Sequence, residues 1–107
     1  MILPGEFWLA DILFTDGSRP KRRPALVLWL DAEDAIVAVV TSAAPRSRTD
    51  VSLVDWAASG LRMASTVRLS RLDSLEQSLL IRRVGAISAA DGDAVKQVWV
   101  NDLGPQF

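Results

Sequence analysis

The sequence predicts a mainly β chain (α+β), a small curled antiparallel barrel closed by one C-terminal helix. Three observations lead there. The first two-thirds divides into short apolar, β-prone runs separated by turn residues. Helical periodicity sets in only after residue 88. Finally, 107 residues that are 50% hydrophobic and 23% charged furnish material for one core rather than two, so 1–107 reads as a single domain. A chain of this length buries roughly 65% of its unfolded surface, enough to dispense with disulfide or metal staples.

The elements follow in order. Gly5 to Leu13 is apolar and aromatic and runs into the turn-rich Thr15-Asp16-Gly17-Ser18. Ala25 to Leu30 and Ala35 to Val40 are unbroken apolar runs on either side of the acidic turn Asp31-Ala-Glu-Asp34, which suits two buried strands paired as a hairpin. Residues 42–50 are polar and read as a loop, and Asp50 to Asp55 alternates as a half-buried strand does. From Ser65 to Leu72 a period of two sets Val67 and Leu69 on one face and Thr66, Arg68 and Ser70 on the other. A short strand is expected around Leu79 to Arg83. Ser88 followed by Asp91 resembles a capping box, Val95, Val98, Trp99 and Leu103 recur at helical spacing, and Gly104-Pro105 ends the helix.

Composition excludes whole classes of chemistry. The chain has no cysteine and no histidine. Disulfides, thiol nucleophiles, thiolate metal sites, Ser-His-Asp triads and His-based zinc sites are therefore out of reach. The carboxylates are scattered without metal-binding spacing, so neither a metal nor a cofactor is expected. No segment has a basic leader followed by an apolar stretch, and no apolar run approaches the ~20 residues that cross a bilayer, so a cytoplasmic protein without a membrane partner is expected.

A net charge of −1 conceals local basicity. Ten of the 12 basic residues are Arg, the side chain that grips phosphate or carboxylate bidentately. Lys21, Arg22 and Arg23 follow Gly17-Ser18-Arg19-Pro20, and Pro24 pushes Arg23 into an extended conformation at a strand edge. Such a cluster can hold a phosphodiester or can be a solvated loop. Thr41 and Ser42 place two hydroxyls where a buried strand emerges; they can donate to a phosphoryl oxygen or serve loop backbone. Thr66, Arg68 and Ser70 suit a phosphate or base site, or an ordinary solvent face. Of Trp8, Trp29, Trp56 and Trp99, only Trp56 is expected to be exposed, the others filling core or subunit interface.

Taken as an ordered set, Pro4-Gly5-Glu6-Phe7-Trp8-Leu9-Ala10-Asp11, Gly17-Ser18, Arg22-Arg23-Pro24-Ala25-Leu26-Val27-Leu28, Val39-Val40-Thr41-Ser42 and Ser65-Thr66-Val67-Arg68-Leu69 resemble the MazF/PemK-like toxins of bacterial type II toxin–antitoxin systems. The resemblance implies an SH3-like barrel of the CcdB/PemK type and a homodimer. It also implies a metal-independent endoribonuclease that cuts single-stranded RNA by attack of the ribose 2′-OH, leaving a 2′,3′-cyclic phosphate and a 5′-OH. It assigns Arg23 and Thr41 as the catalytic pair and Arg68 as an RNA contact. Gly17, Ser18, Arg22, Ser42, Thr66 and Ser70 complete the expected RNA-binding set. A cognate acidic antitoxin is the implied partner.

This chemistry is compatible with the composition, because the nucleophile belongs to the substrate and the protein need only stabilise charge on phosphorus. Arg remains protonated, so Arg23 is assigned to electrostatic stabilisation and the proton acceptor is left open. Two other readings stay open at this point: a gyrase-binding CcdB-like toxin that cuts nothing, and a non-catalytic nucleic-acid-binding barrel.

Overall fold

A computed structural model describes residues 1–13 and 19–107. Six strands, β1 (Glu6–Ile12), β2 (Lys21–Asp31), β3 (Asp34–Thr41), β4 (Asp50–Ser52), β5 (Thr66–Glu76) and β6 (Arg82–Ala86), precede one helix, α1 (Ala89–Asp102). They form one antiparallel sheet in the order β4-β5-β3-β2-β1-β6. Among the described residues no helix is long and apolar enough to cross a membrane.

The central strands read as continuous apolar runs because both faces of the sheet are covered. Ala25 and Val27 of β2 join Ile12, Val37 and Val39 in one core, while Leu26 joins Phe7, Val40, Leu69 and Val95 in another. Val95 brings α1 onto the second core, and Trp99 meets Trp29 edge-on at 5.6 Å.

The sheet is rolled. Phe7 on β1 and Val51 on β4 are separated by three strands in the sheet order, yet they share one core. Register breaks in β2 between Val27 and Trp29, and in the β3–β5 pair between Ala38 and Val39, supply the bends that rolling needs. The roll is closed where the segment after edge strand β4 crosses edge strand β6. There the backbones touch: a Cβ on Gly85 would lie 1.9 Å from the Ser59 carbonyl oxygen, and one on Gly60 only 2.4 Å from that of Val84. Gly60 also has φ +89°, a left-handed conformation that glycine adopts without strain.

Helix α1 begins as expected, with Ser88 Oγ accepting the Asp91 N–H at 3.1 Å. The Asp91 carboxylate then does something a capping box does not: it accepts the N–H groups of Val54 (3.0 Å) and Asp55 (2.9 Å), and Ser88 Oγ donates to Asp55 Oδ2 (2.7 Å). The segment after β4 thus hangs from the helix start. This shortens the strand expected over Asp50 to Asp55 to three residues, since those two donors are diverted from a ladder.

Other differences from expectation have equally local causes. Residues Gln77–Leu79 form a single 3-10 turn, which displaces the last strand from Leu79–Arg83 to Arg82–Ala86. β2 starts at Lys21 rather than Ala25, because Lys21 and Arg22 pair with Ile12 and Asp11 of β1. Trp56 is half-buried against the core, and Trp29 is the tryptophan left exposed, at 42%.

Candidate functional site

Where β2 begins and β3 ends, the β2–β3 ladder is open beyond its last pair, Ala25 with Val39. A cleft of about 550 Å³ lies there. Its apolar floor is Leu9, Pro24, Val40, Leu61 and Val84; its charged rim is Lys21, Arg22, Arg23, Arg62 and Arg82; Thr41, Ser42 and Ser65 supply hydroxyls. Among the described residues that line it there is no Asp or Glu. A concave site of one charge sign over an apolar floor concentrates anions.

Arg23 and Thr41 face each other in sequence terms. The register that matches Ala25 to Val39 and Leu26 to Ala38, extended past the ladder's last pair, aligns Arg23 with Thr41 two residues on and Arg22 with Ser42 three residues on. All four line the cleft. Arg23 is half-buried with its Nε shielded from solvent, and Pro24 fixes the extended backbone that carries it. Thr41 Oγ1 accepts the Ala43 N–H at 3.2 Å, so the hydroxyl oxygen is held while its own proton stays available for donation. Ser65 differs: its hydroxyl donates to the Met63 carbonyl at 2.7 Å and closes the turn there. Arg22 is exposed and pairs with Asp11 at 3.2 Å through Nε.

The strand face of β5 is placed elsewhere. Thr66, Arg68 and Ser70 do not line the cleft. Thr66 is buried between Thr41 of β3 and Ser52 of β4 in the ladder. Arg68 lies between Val39 and Asp50 and approaches the fully buried Asp50 carboxylate, Nε to Oδ2 at 3.5 Å. Ser70 is exposed beside the β5 register break. Gly17 and Ser18 lie outside the described residues. Conversely, sequence reasoning did not place Arg62 and Arg82 at the site; only the Gly60–Gly85 crossing puts them on its rim.

Nothing in the cleft could hold a cation through carboxylates, and among the described residues no group of three metal-ligating side chains clusters. What the cleft offers is guanidinium groups, an oriented hydroxyl and an apolar floor, a set that binds and polarises an anionic diester.

Comparison with known proteins bears on this arrangement. A family profile described as PemK-like, MazF-like toxin of type II toxin–antitoxin system matches residues 3–99. Among curated proteins no relative matches the sequence. Several solved structures are similar in fold. One is an endoribonuclease in complex with its cognate antitoxin from a mycobacterial species, with TM-score 0.76, 16% identity, and coverage of 98% of this chain and 100% of that one. Another is the Mycobacterium tuberculosis toxin MazF-mt6, with TM-score 0.73, 25% identity, and coverage of 94% and 99%. A third is a MazE–MazF structure from Deinococcus radiodurans, with TM-score 0.67, 23% identity, and coverage of 91% and 87%.

Proposed function

Because the chain belongs to the family of PemK-like, MazF-like toxins of type II toxin–antitoxin systems, we propose that its cleft cuts single-stranded RNA without a metal ion. The observation that carries this reading is that Arg23 and Thr41 line one cleft whose described lining holds no carboxylate. The similar mycobacterial proteins, an endoribonuclease with its antitoxin and the toxin MazF-mt6, support it.

In the proposed reaction the ribose 2′-oxygen bonds to the adjacent phosphorus and the P–O5′ bond breaks. The 2′-hydroxyl gives up its proton and the departing O5′ gains one, so the products are a 2′,3′-cyclic phosphate and a 5′-OH. Negative charge builds on the non-bridging oxygens as the fifth bond forms. Arg23, permanently protonated and partly shielded from water, neutralises that charge, and the Thr41 hydroxyl donates to the same oxygens. Arg22 and Ser42 hold the strand in place. No side chain is assigned as proton acceptor: the cleft has no carboxylate among its described residues, and the chain has no histidine. DNA lacks the attacking hydroxyl and is not a substrate. The reading rests on these four residues; Thr66, Arg68 and Ser70, outside the cleft, carry none of it.

The same basic cleft suits the acidic, extended tail of a cognate antitoxin, and one similar structure is a complex with such a partner. A homodimer acting in the cytoplasm completes the proposal.

The test is incubation of the purified protein with a mixed single-stranded RNA pool in EDTA, followed by end-group analysis. Fragments ending in 2′,3′-cyclic phosphate are expected. Arg23→Ala lowers the rate by roughly a hundredfold or more, the scale of losing one preorganised donor worth ~3 kcal/mol, and Thr41→Ala lowers it by at least tenfold. Undiminished cutting by the Arg23 variant, or inhibition of gyrase with all RNA recovered intact, overturns the reading.

A further inference from the structure

Resting on the ribonuclease reading, we propose that the cleft holds a second backbone phosphate of the RNA on Arg62 and Arg82, beside the scissile one. Both side chains are exposed on the cleft rim, and among the described residues neither makes an ion pair or hydrogen bond. They come from distant parts of the chain and are brought together by the glycine crossing: Arg62 follows Gly60 by two residues, and Arg82 precedes Val84 by two. Their wall is separate from that of Arg23. Leu9 of β1 is flanked by Pro24 of β2 on one side and by Arg82 of β6 on the other, so the walls stand two strand spacings apart, roughly 10 Å.

Long, flexible arginine side chains on backbones that far apart can reach neighbouring phosphates of one extended strand. Leu9 lies between the walls and Val84 on the β6 side, an apolar surface for the uncharged sugar or base of the intervening nucleotide. Neither guanidinium has a carboxylate partner among the described residues, and a phosphate is the kind of anion each can bind bidentately. The adjacent Arg83 shows the alternative, since it is engaged by Glu6 and does not line the cleft. The scissile phosphate is therefore read together with a neighbour, and the substrate is an oligonucleotide carrying at least one flanking phosphate rather than an isolated dinucleotide.

The experiment measures binding separately from cutting. The full chain is titrated with a fluorescent RNA oligonucleotide whose scissile nucleotide is 2′-deoxy, alongside versions in which each flanking phosphate in turn is replaced by a neutral methylphosphonate. Arg82→Gln is expected to weaken binding of the fully charged oligonucleotide by roughly tenfold. It should also flatten the logarithmic salt dependence by about 0.7, the contribution of one single-strand phosphate contact. At one methylphosphonate position the variant and the parent bind equally, and that position marks the phosphate; Arg82→Lys recovers part of the affinity. An unchanged melting temperature shows that the exposed substitutions leave the fold intact. If Arg62→Gln/Arg82→Gln binds with unchanged affinity and salt slope, or if the variant loses equally at every methylphosphonate, the second site is refuted. Failure of the ribonuclease reading shows differently, as unmodified RNA left uncut by the parent protein whatever these titrations give.

Discussion

Arg82 and Arg83 follow one another on β6 and meet opposite surroundings. Arg83, in register with Trp8, reaches Glu6, whose carboxylate also accepts the Leu3 N–H (2.7 Å) and the Trp8 indole N–H (3.2 Å). Arg82, in register with Leu9, lines the cleft with no carboxylate beside it. Arg68 repeats the first pattern against Asp50. The contrast teaches where the basic residues of this nearly neutral chain are spent. Outside the cleft, Arg68 and Arg83 pair with buried acids; on its rim, Arg62 and Arg82 have no ion-pair partner among the described residues. Arg22 is intermediate, pairing with Asp11 in full view of solvent.

Three substitutions break or sharpen this contrast. The largest effect is expected at Arg68. Its side chain is 15% exposed and that of Asp50 is 0% exposed, so Arg68→Ala strands a buried charge and costs about 3 kcal/mol in urea unfolding. The double variant Arg68→Met/Asp50→Leu costs clearly less, because removing both charges removes the desolvation problem.

A smaller effect is expected at Glu6. The Arg83 hydrogen bond, helped by the Leu3 N–H, holds its carboxyl below the usual value of 4.5. The charged form is thus favoured on folding, and its contribution is fully present above pH 4.5 and fades as pH falls through the lower folded pKa. Glu6→Gln lowers the melting temperature by a few degrees at pH 7, and the gap to the parent narrows towards pH 3. A gap that widens in acid contradicts the pairing.

The smallest stability change is expected from Arg22→Ala. With both partners more than half exposed, the Arg22–Asp11 pair contributes about 0.5 kcal/mol or less to unfolding. The substitution is instead expected to flatten the salt dependence of RNA binding, read in the titration described above.

Much of this architecture was legible in the sequence, and what was not has a common cause. Continuous apolar runs marked β2 and β3, and Ser88 with Asp91 marked the start of α1, because each signal is written in neighbouring residues. Arg23 and Thr41 were expected as a pair through family resemblance, and both line the cleft. Arg62 and Arg82 were not, because their shared wall depends on a crossing of backbones between residues 59–60 and 84–85. No local pattern reports such an encounter; glycines at 60 and 85 are its only trace. The diversion of the Val54 and Asp55 donors to Asp91 was hidden for the same reason.

The crossing at Gly60 and Gly85 has an evolutionary corollary. Main chain rests on main chain there, so the gauge of the cleft is set by atoms that every amino acid shares. The exposed side chains at 62 and 63 can then be exchanged without altering the distance between the two walls. What lines the rim can thus vary while the width of the cleft stays fixed, provided both glycines survive.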